Sequence, residues 1–191
     1  MQISKLFWAL RSLILKPFFG KYGLMSYMGK PCGLLGMRNF YLGKKVRIYP
    51  GVRLESHTNG KLFIGDNVSI GQNFHCITGE NQSLIIGDNT TISANVFVSN
   101  IDHDYRELNK HILEQPIIAK NTVIGENCFI GYGAVLLPGS KLGNNCIVGA
   151  NAVVKGEYSE NTVIAGNPAK IIKYYDQNQK AWVKANNIGC R

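Results

Sequence analysis

The chain contains 191 residues, of which 45% are hydrophobic and 17% are charged, and its formal net charge at pH 7 is +9. This length and apolar content are ample for one domain with a single core. Its five cysteines, an odd number without a CxxC pair, argue against a disulfide framework or a zinc site and favour a reducing compartment.

The surplus positive charge lies entirely in residues 1–54, which hold ten Lys or Arg residues and no Asp or Glu. The remainder of the chain has 11 basic and 12 acidic residues. The chain shows no DNA- or RNA-binding motif, so the charge does not indicate a nucleic-acid partner. We expect residues 1–54 to contact an anionic membrane surface or a phosphorylated, lipid-linked substrate.

The first segment, residues 3–16, has the pattern of an amphipathic helix. One face is narrow and polar: Lys5, Ala9, Ser12 and Lys16. The opposite face is apolar: Leu6, Phe7, Leu10, Leu13 and Ile14. Arg11 interrupts the apolar run and no small-residue cleavage site follows, so the segment is unlike a signal peptide, and it is too short to span a bilayer. Two interpretations remain open: an interfacial membrane helix, or a helix that lies across the first coil or a neighbouring subunit.

Aliphatic residues recur every six positions through most of the chain. They occupy Leu42, Ile48, Leu54, Ile64, Ile70, Ile86, Ile92, Val98, Ile118, Ile124, Ile130, Leu136, Leu142 and Val148. A period of six fits neither a helix nor an ordinary strand, but it fits a chain that turns a corner every six residues. Three such sides close an 18-residue triangular coil, and stacked coils bury the repeated aliphatic residue.

Asn or Gly stands three residues after many of these aliphatic positions, as at Asn67, Asn73, Asn89, Asn95, Asn121, Asn127, Gly133, Asn145 and Asn151. Both residue types tolerate positive φ, so we interpret these positions as corners rather than as chemically active groups. Cys128 and Cys146 are 18 residues apart, which is one coil, and we expect them to stack as packing residues.

The six-residue pattern is interrupted at three places. The steps from Leu54 to Ile64 and from Cys76 to Ile86 are ten residues long, and the step from Val98 to Ile118 is 20. The longest interruption, residues 99–116, contains several polar side chains: Asp102, His103, Asp104, Tyr105, Arg106 and His111. Insertions in solenoids often carry the function, so this loop is the predicted site. Beyond the repeats, the segment from Ile171 to Asn186 is predicted to form a second short helix, with Tyr175 and Trp182 as packing residues.

The segments IGENCFIGYGAVLLPGSKLGNNCIVGANAVVKG and ENTVIAGNPAKIIK resemble the hexapeptide-repeat acyltransferases, in particular the galactoside, maltose and polysaccharide O-acetyltransferases. The resemblance covers about residues 42–175 and implies an all-β, left-handed parallel β-helix that acts as a homotrimer with acetyl-CoA as co-substrate. We therefore expect a basic helical extension (1–41), a β-helix domain (42–170) with the inserted loop, and a tail (171–191). The loop is expected to cross to a neighbouring subunit, because 14 inserted residues have little in their own subunit to hold them.

His103 falls where this family keeps its catalytic histidine. A neutral imidazole can take the proton of a sugar hydroxyl as it attacks a thioester. Asp102, Asp104 or a backbone carbonyl could orient the ring, and the sequence leaves this choice open. A backbone N–H near Gly131 and Tyr132 is the candidate donor to the tetrahedral oxyanion.

The resemblance also suggests positions for the two substrates. Candidate coenzyme A contacts are Phe129, Tyr132, Ala150, Lys155, Lys170 and Lys173. Of these, Lys170 and Lys173 would bind phosphates. Related enzymes often have Ser at the position of Tyr132. Candidate acceptor contacts are His75, which is expected at a corner, and Tyr105. No metal is expected, because His103 and His111 lie eight residues apart with a loop between them, unlike the zinc-binding histidines of a γ-type carbonic anhydrase.

The expected function is acetyl-CoA-dependent O-acetylation of a sugar hydroxyl in surface-polysaccharide biosynthesis, such as that of O-antigen or capsule. The expected location is the cytoplasm, at the inner face of the membrane if residues 1–54 bind lipid. One alternative is N-acetylation of an amino-sugar nucleotide, since the same base would serve an amine. A second is a non-catalytic β-helix scaffold, which would need neither the His103 loop nor the NPAKIIK tail.

Overall fold

The computed structural model describes residues 3–185. After a helix, α1 (Ile3–Leu15), and a 3₁₀ turn (Lys16–Phe18), the chain winds into a left-handed parallel β-helix with six complete coils. Each coil contributes one short strand to each of three walls, which we name A, B and C in the order in which the chain visits them. The fold class predicted from the six-residue repeat is confirmed.

The strands of each wall pair in parallel between successive coils. Wall A consists of β1 (Lys21–Tyr22), β4 (Phe40–Leu42), β7 (Lys61–Ile64), β10 (Ser83–Ile86), β15 (Thr122–Ile124), β18 (Lys141–Leu142) and β21 (Glu157–Tyr158). Wall B consists of β2 (Tyr27–Met28), β5 (Arg47–Ile48), β8 (Ser69–Ile70), β11 (Thr91–Ile92), β16 (Phe129–Ile130), β19 (Ile147–Val148) and β22 (Thr162–Gly166). Wall C consists of β3 (Gly33–Leu35), β6 (Arg53–Ser56), β9 (His75–Thr78), β12 (Phe97–Ser99), β17 (Val135–Leu136) and β20 (Val153–Val154).

The repeated aliphatic side chains fill the interior of the coils. On wall B the inward residues from Ile48 to Ile164 are at most 2% exposed, whereas Thr91 and Phe129, one position earlier in their strands, face solvent. Burial of each aliphatic side chain stabilises the coil by about 1.5–3 kcal/mol. Ile118 is an exception to the predicted pattern: it is half-buried and lies outside the walls, because the 20-residue step contains a separate hairpin.

The corner prediction is confirmed for seven of the eight asparagines, which adopt φ angles of 54–58°. Their amides also hydrogen-bond from coil to coil; for example, Asn127 Nδ2 donates to Asn145 Oδ1 over 2.7 Å. Asn121 differs, because it leads the chain from the inserted loop into β15 and its Oδ1 accepts a hydrogen bond from the Ser83 N–H instead.

The β-helix begins earlier than the expected boundary at residue 42. Strands β1, β2 and β3 pair with β4, β5 and β6, so the first coil starts at Lys21. The inward positions of this coil are Tyr22, Met28 and Leu34, which keep the six-residue spacing. The boundary was missed because an aromatic residue and a methionine replace two of the aliphatic residues. A 3₁₀ turn (Met37–Asn39) leads from this coil to the next.

Helix α1 lies across the first coil. The Trp8 ring packs against Tyr27 and Tyr49, with ring centroids 6.1 and 5.6 Å apart. Ser12 is buried, and its Oγ accepts hydrogen bonds from the Tyr22 hydroxyl and the Met28 N–H. Part of the polar face of α1 therefore packs against the first coil. No helix in the described part of the chain is long and apolar enough to cross a membrane.

The second short helix predicted at the C-terminus is wrong. The segment instead forms an antiparallel hairpin of β23 (Ala169–Asp176) and β24 (Ala181–Lys184), which continues wall B beyond β22. The last parallel strand would otherwise leave its edge unpaired, and the hairpin supplies hydrogen-bond partners for it. The predicted packing role of Tyr175 and Trp182 is confirmed, since their rings meet edge to face at 5.7 Å. The end of the predicted helix, at Asn186, lies outside the described residues.

Cys128 and Cys146 serve as packing residues, as predicted, whereas Cys32 of the first coil is exposed. Cys76, Cys128 and Cys146 are buried, and the Cys128 thiol donates to the Gly143 carbonyl at 3.3 Å. Burial raises the pKa of the Cys76 thiol well above its ordinary value. Cys190 lies outside the described residues.

Candidate active site

The inserted loop leaves wall C after β12, at the corner that leads to wall A. Its two ends form an antiparallel pair, β13 (Ile101–His103) and β14 (Ile117–Ala119), in which His103 lies opposite Ile117. Asn100 anchors the base of this hairpin. Its N–H donates to the Ile77 carbonyl, its own carbonyl accepts from Lys120, and its side-chain Oδ1 accepts from the Gly79 N–H at 2.9 Å.

The outer part of the loop has its own internal support. Buried Gln115 hydrogen-bonds to the backbone of Glu107 and to the carbonyl of Lys110. Buried Asp104 is held by the guanidinium of Arg106, which lowers the pKa of that carboxyl far below its ordinary value. The expectation that little in the same subunit holds the loop is therefore wrong, because polar side chains within the insertion satisfy its backbone.

The His103 side chain is half-buried, and its ring Nδ1 is buried without a hydrogen-bond partner among residues 3–185. Neither candidate carboxylate contacts the ring. Asp102 Oδ1 accepts a hydrogen bond from the backbone N–H of His103 at 2.8 Å, and Asp104 is occupied by Arg106. The two aspartates shape the backbone around His103, and the described part of the chain leaves the ring free to accept an orienting group.

Of the two acceptor candidates, His75 is the more enclosed. It lies on β9 rather than at the predicted corner, because the four extra residues of this coil follow the strand; its ring meets Phe97 edge to face at 5.2 Å. Burial lowers the pKa of His75, and the charge of Arg53 lowers it further, while that of Glu55 acts in the opposite direction. Tyr105, at 74% exposure, projects from the loop into solvent.

The structure narrows the choice of oxyanion donor. The Gly131 N–H donates to the Val148 carbonyl at 2.8 Å and is therefore not available to a substrate. The Tyr132 N–H has no acceptor in the part of the chain that the structure describes. The Tyr132 hydroxyl accepts from Asn95 Nδ2, so this side chain lies along the corner rather than pointing away from it.

The coenzyme A candidates occupy several positions on the coils. Tyr132 and Ala150 lie at the same corner between walls B and C in successive coils, where the Asn151 N–H bonds to the Tyr132 carbonyl. At this corner a Cβ built on Gly131 would come within 2.7 Å of the Ala150 nitrogen, so the backbones are closely packed. Lys155 lies at the corner between walls C and A, after β20.

The remaining candidates lie on the outer face of wall B. The register places one column of residues side by side: Phe129, Ile147, Val163 and Lys173. Lys184 lies directly opposite Lys173 in the neighbouring strand, a residue that the sequence analysis missed. Two like charges at directly opposite positions repel, so this pair is suited to an anion. Lys184 was missed because the sequence predicted a helix in this segment, and the strand β24 that places Lys184 beside Lys173 was not expected.

The C-terminal hairpin creates a cleft with a volume of ≈ 420 Å³ on wall B. Phe129 and Ile147 form its floor, Tyr175 and Trp182 form one side, and the corner asparagines form the other: Asn127, Asn145 and Asn161. The single chain thus brings Phe129 and Lys173 to one face. His103 belongs to the corner between walls C and A, away from that face. Within residues 3–185, no three His, Cys, Asp or Glu side chains form a group that could hold a metal ion.

Comparison with known proteins identifies the class of protein to which this chain belongs. A family model for "Bacterial transferase hexapeptide (six repeats)" matches residues 121–156, and one for "Hexapeptide repeat of succinyl-transferase" matches residues 61–100. The Escherichia coli (strain K12) protein described as "Putative lipopolysaccharide biosynthesis O-acetyl transferase WbbJ" is 36% identical over 167 residues, which cover 81% of this chain and 82% of that protein.

Two solved structures show the same fold. Galactoside acetyltransferase in complex with coenzyme A has a TM-score of 0.64 and 21% identity, over 100% of this chain and 82% of that chain. AntD, an N-acyltransferase from Bacillus cereus in complex with dTDP and 3-hydroxybutyryl-CoA, has a TM-score of 0.73 and 18% identity. The match covers 88% of this chain and 90% of that chain. This chain belongs to the hexapeptide-repeat acyltransferase family, and its activity is acyl transfer.

Proposed function

We propose that this enzyme transfers the acetyl group of acetyl-CoA to a hydroxyl of a sugar in surface-polysaccharide biosynthesis. The observation that carries the proposal is His103, which lies on an internally supported hairpin and whose ring Nδ1 has no hydrogen-bond partner among residues 3–185. The similarity to the WbbJ protein over four-fifths of both chains supports oxygen as the acceptor atom and a surface glycan as the acceptor class.

In the proposed reaction His103 is the general base. Its imidazole takes the proton of the sugar hydroxyl as the oxygen attacks the thioester carbonyl carbon. The resulting tetrahedral oxyanion accepts a hydrogen bond from the Tyr132 N–H. The intermediate then collapses with cleavage of the carbon–sulfur bond, and the imidazolium returns its proton to the departing thiolate of coenzyme A. The products are the acetylated sugar and the free thiol.

Wall B fits coenzyme A. Its outer face offers an exposed aromatic residue, Phe129, an apolar column beyond it, and the lysine pair Lys173 and Lys184 at the end. From Phe129 to Lys173 the column spans three strand spacings, or about 15 Å. An extended pantetheine arm can lie along this column, with the phosphates at the lysines. Lys170, exposed on the same strand, adds a further cation.

A homotrimer would unite the two halves of the site. In one chain the His103 loop and the face of wall B belong to different sides of the triangular coil, so the base of one subunit must approach the wall of another. Tyr105, Leu108 and Leu113 of the loop are 70–86% exposed, which supports their burial against a neighbouring subunit. A neighbouring chain could also supply the group that orients the ring through Nδ1, leaving Nε2 as the base.

N-acylation of an amino-sugar nucleotide is a second candidate activity. The structural similarity to AntD supports a common fold, and the same imidazole could assist an amine. The O-acetyl transferase relative is 36% identical and AntD 18%, and this higher identity favours the hydroxyl acceptor. We also propose a peripheral contact of residues 1–54 with the cytoplasmic face of an anionic membrane, because these residues hold the surplus charge.

Mass spectrometry distinguishes these activities. The enzyme is incubated with acetyl-CoA and with free or lipid-linked glycans or amino-sugar nucleotides, and the masses of the acceptors are measured. A glycan heavier by one acetyl group, whose ester is cleaved by mild base, supports O-acetylation. Acetylation of only the amino-sugar nucleotide, as a base-stable amide, would overturn the main proposal in favour of the alternative.

A further inference from the structure

Helix α1 presents its apolar face to solvent. Soluble amphipathic helices normally bury that face. Here the buried side contains Ser12, with Trp8 and Leu15 half-buried beside it, whereas Leu13 and Ile14 are 68% and 71% exposed. The other large apolar residues of the exposed face are also uncovered: Leu6, Phe7 and Leu10. In the described chain this face has no partner.

The first coil adds a second apolar feature beside the helix. Its corner between walls A and B is formed by Leu24 and Met25, each 70% exposed. In every later coil the same corner is polar: Lys44–Lys45, Asp66–Asn67, Asp88–Asn89, Glu126–Asn127, Asn144–Asn145 and Glu160–Asn161. A ladder of backbone hydrogen bonds, beginning with Lys45 N–H to the Leu24 carbonyl, establishes this equivalence.

The backbone of Met25 adopts a conformation that is unfavourable for methionine. It adopts a φ of 60°, the left-handed region in which the later coils place asparagine or, in one case, lysine. Asparagine tolerates this conformation more readily than methionine does. A corner with no apolar function would be better served by the polar pair that the other coils use.

Uncompensated positive charge lies next to these apolar residues. The first two coils and the 3₁₀ turn after α1 contain five exposed lysines: Lys16, Lys21, Lys30, Lys44 and Lys45. Among residues 3–185 none of these five forms a salt bridge. The first acidic residue of the chain is Glu55, and the acidic corners begin at Asp66 in the third coil. Along the axis of the solenoid, the exposed surface therefore changes from apolar at the N-terminal end, to basic, and then to a mixture of both charges.

We propose that this end of the solenoid docks onto an anionic lipid surface. The N-terminal apolar end, defined as Leu6, Phe7, Leu10, Leu13, Ile14, Phe18, Leu24 and Met25, enters the interface between headgroups and acyl chains, and the adjacent lysines contact the anionic headgroups. The 13 residues of α1 are too few to span a bilayer, so the helix lies in the interface. A second copy of this chain is a poorer occupant, because it would bring two sets of unpaired lysines together.

Docking in this orientation has a consequence for the acceptor, and this step rests on the proposed function. The His103 loop leaves the fourth coil, three strand spacings from the first along wall C. It would therefore stand about 15 Å above the docked coil. A sugar attached through a lipid carrier in the same membrane would lie within reach of His103. In a cyclic trimer with parallel coils, three docked ends would add avidity.

Flotation of the full-length protein with vesicles tests the docking surface. Vesicles of phosphatidylcholine with phosphatidylglycerol should bind the protein at low ionic strength, and vesicles of phosphatidylcholine alone should bind it much less. The variant Leu24→Asn with Met25→Asn copies the Asn144–Asn145 corner and leaves the charge unchanged. We expect it to bind the anionic vesicles about tenfold more weakly, at low and high salt alike.

A charge variant and a matched control complete the experiment. Lys44→Asn with Lys45→Asn should weaken binding about tenfold at low salt and have little effect at high salt. The control, Lys180→Asn, removes a lysine that has a positive φ like Lys45 but lies in the distant C-terminal hairpin. This variant should bind anionic vesicles as strongly as the unchanged protein does. All three variants should acetylate a soluble acceptor normally, so loss of docking is distinguishable from failure of the proposed activity.

Two results would overturn the proposal. One is equal binding of the unchanged protein and the Leu24→Asn, Met25→Asn variant to anionic vesicles, or no binding of either at low salt. The other is that neither protein binds vesicles and the Leu24→Asn, Met25→Asn variant sediments with a lower mass than the unchanged protein. That result would make the apolar end an interface between copies of the chain.

Discussion

The walls and the inserted loop of this molecule depend on their residues in different ways. A wall position is repeated in every coil, and its inward side chain is one of several that do the same work. The loop has no repeat: Asn100, Asp104 and Gln115 each make hydrogen bonds that have no equivalent in another coil of the described chain. We therefore expect substitutions at inward wall positions to reduce stability and leave the chemistry intact, and substitutions in the loop to affect mainly the chemistry.

The largest expected effect is on turnover. His103→Ala should lower kcat by about 10²–10⁴-fold, because the acceptor hydroxyl loses its base, while acetyl-CoA binding changes little. Steady-state kinetics and calorimetric titration with acetyl-CoA measure the two effects. His111→Ala is the control within the same loop: His111 is exposed, and its ring Nδ1 accepts from the Leu113 N–H. Near-normal turnover of the His103 variant would refute its assignment as base.

A wall substitution should give the opposite result. Ile92→Ala removes a side chain that is 2% exposed and should reduce the free energy of unfolding by about 2–5 kcal/mol. The neighbouring outward residue, Thr91, is the control. Thr91→Ala should change the free energy of unfolding by less than about 0.5 kcal/mol. Denaturant unfolding measures both variants. Equal effects of the two would show that the coil interior is not the main source of stability.

The same contrast explains what the sequence could reveal. Periodicity predicted the coils, the corner asparagines and the position of the loop, because each rests on a pattern repeated many times. It could not identify the first coil, where Tyr22 and Met28 replace aliphatic residues, or the hairpin of β23 and β24, which forms only because β22 has an open edge. The partner of Asp104, and the Tyr132 N–H that has no acceptor among residues 3–185, each depend on the local geometry of one position, which no sequence period encodes.

Asn100 sharpens the comparison because it joins a wall to the loop. Asn100→Ala leaves the buried Gly79 N–H without its acceptor, at a cost of about 1–3 kcal/mol in unfolding free energy. It should also lower kcat, since the hairpin that carries His103 loses its anchor. Asn121→Ala, at the other end of the loop, removes an exposed hydrogen bond and serves as control. If Asn100→Ala proved as mild as the control in both measurements, Asn100 would not couple the loop to the wall.

Lys184 should affect donor binding and not chemistry. Lys184→Ala should raise the KM for acetyl-CoA about three- to tenfold, with kcat unchanged, because one phosphate contact is lost. In the absence of acetyl-CoA the variant should be as stable as the unchanged protein or slightly more so, since Lys173 loses an opposing like charge. Lys180→Ala, in the turn of the same hairpin, is the control. A KM that does not change would remove Lys184 from the proposed phosphate site.

The smallest expected effect concerns pH. Burial on wall C holds the pKa of His75 below its ordinary value of 6.5, so the unfolded chain binds a proton at this residue more readily than the folded one. The unfolding free energy should be fully retained above about pH 6.5 and should decrease as the pH falls below that value. His75→Gln removes this contribution. Urea unfolding at about pH 7.5 and about pH 5.5 should therefore show a smaller loss of stability in the variant.

The neighbouring Glu55 should not mask the difference. Burial acts to raise the pKa of Glu55, but Arg53 and His57 hold it below its ordinary value, so this carboxyl titrates below the tested range. An equal loss in both proteins would show that His75 is as free to accept a proton on wall C as it is in the unfolded chain.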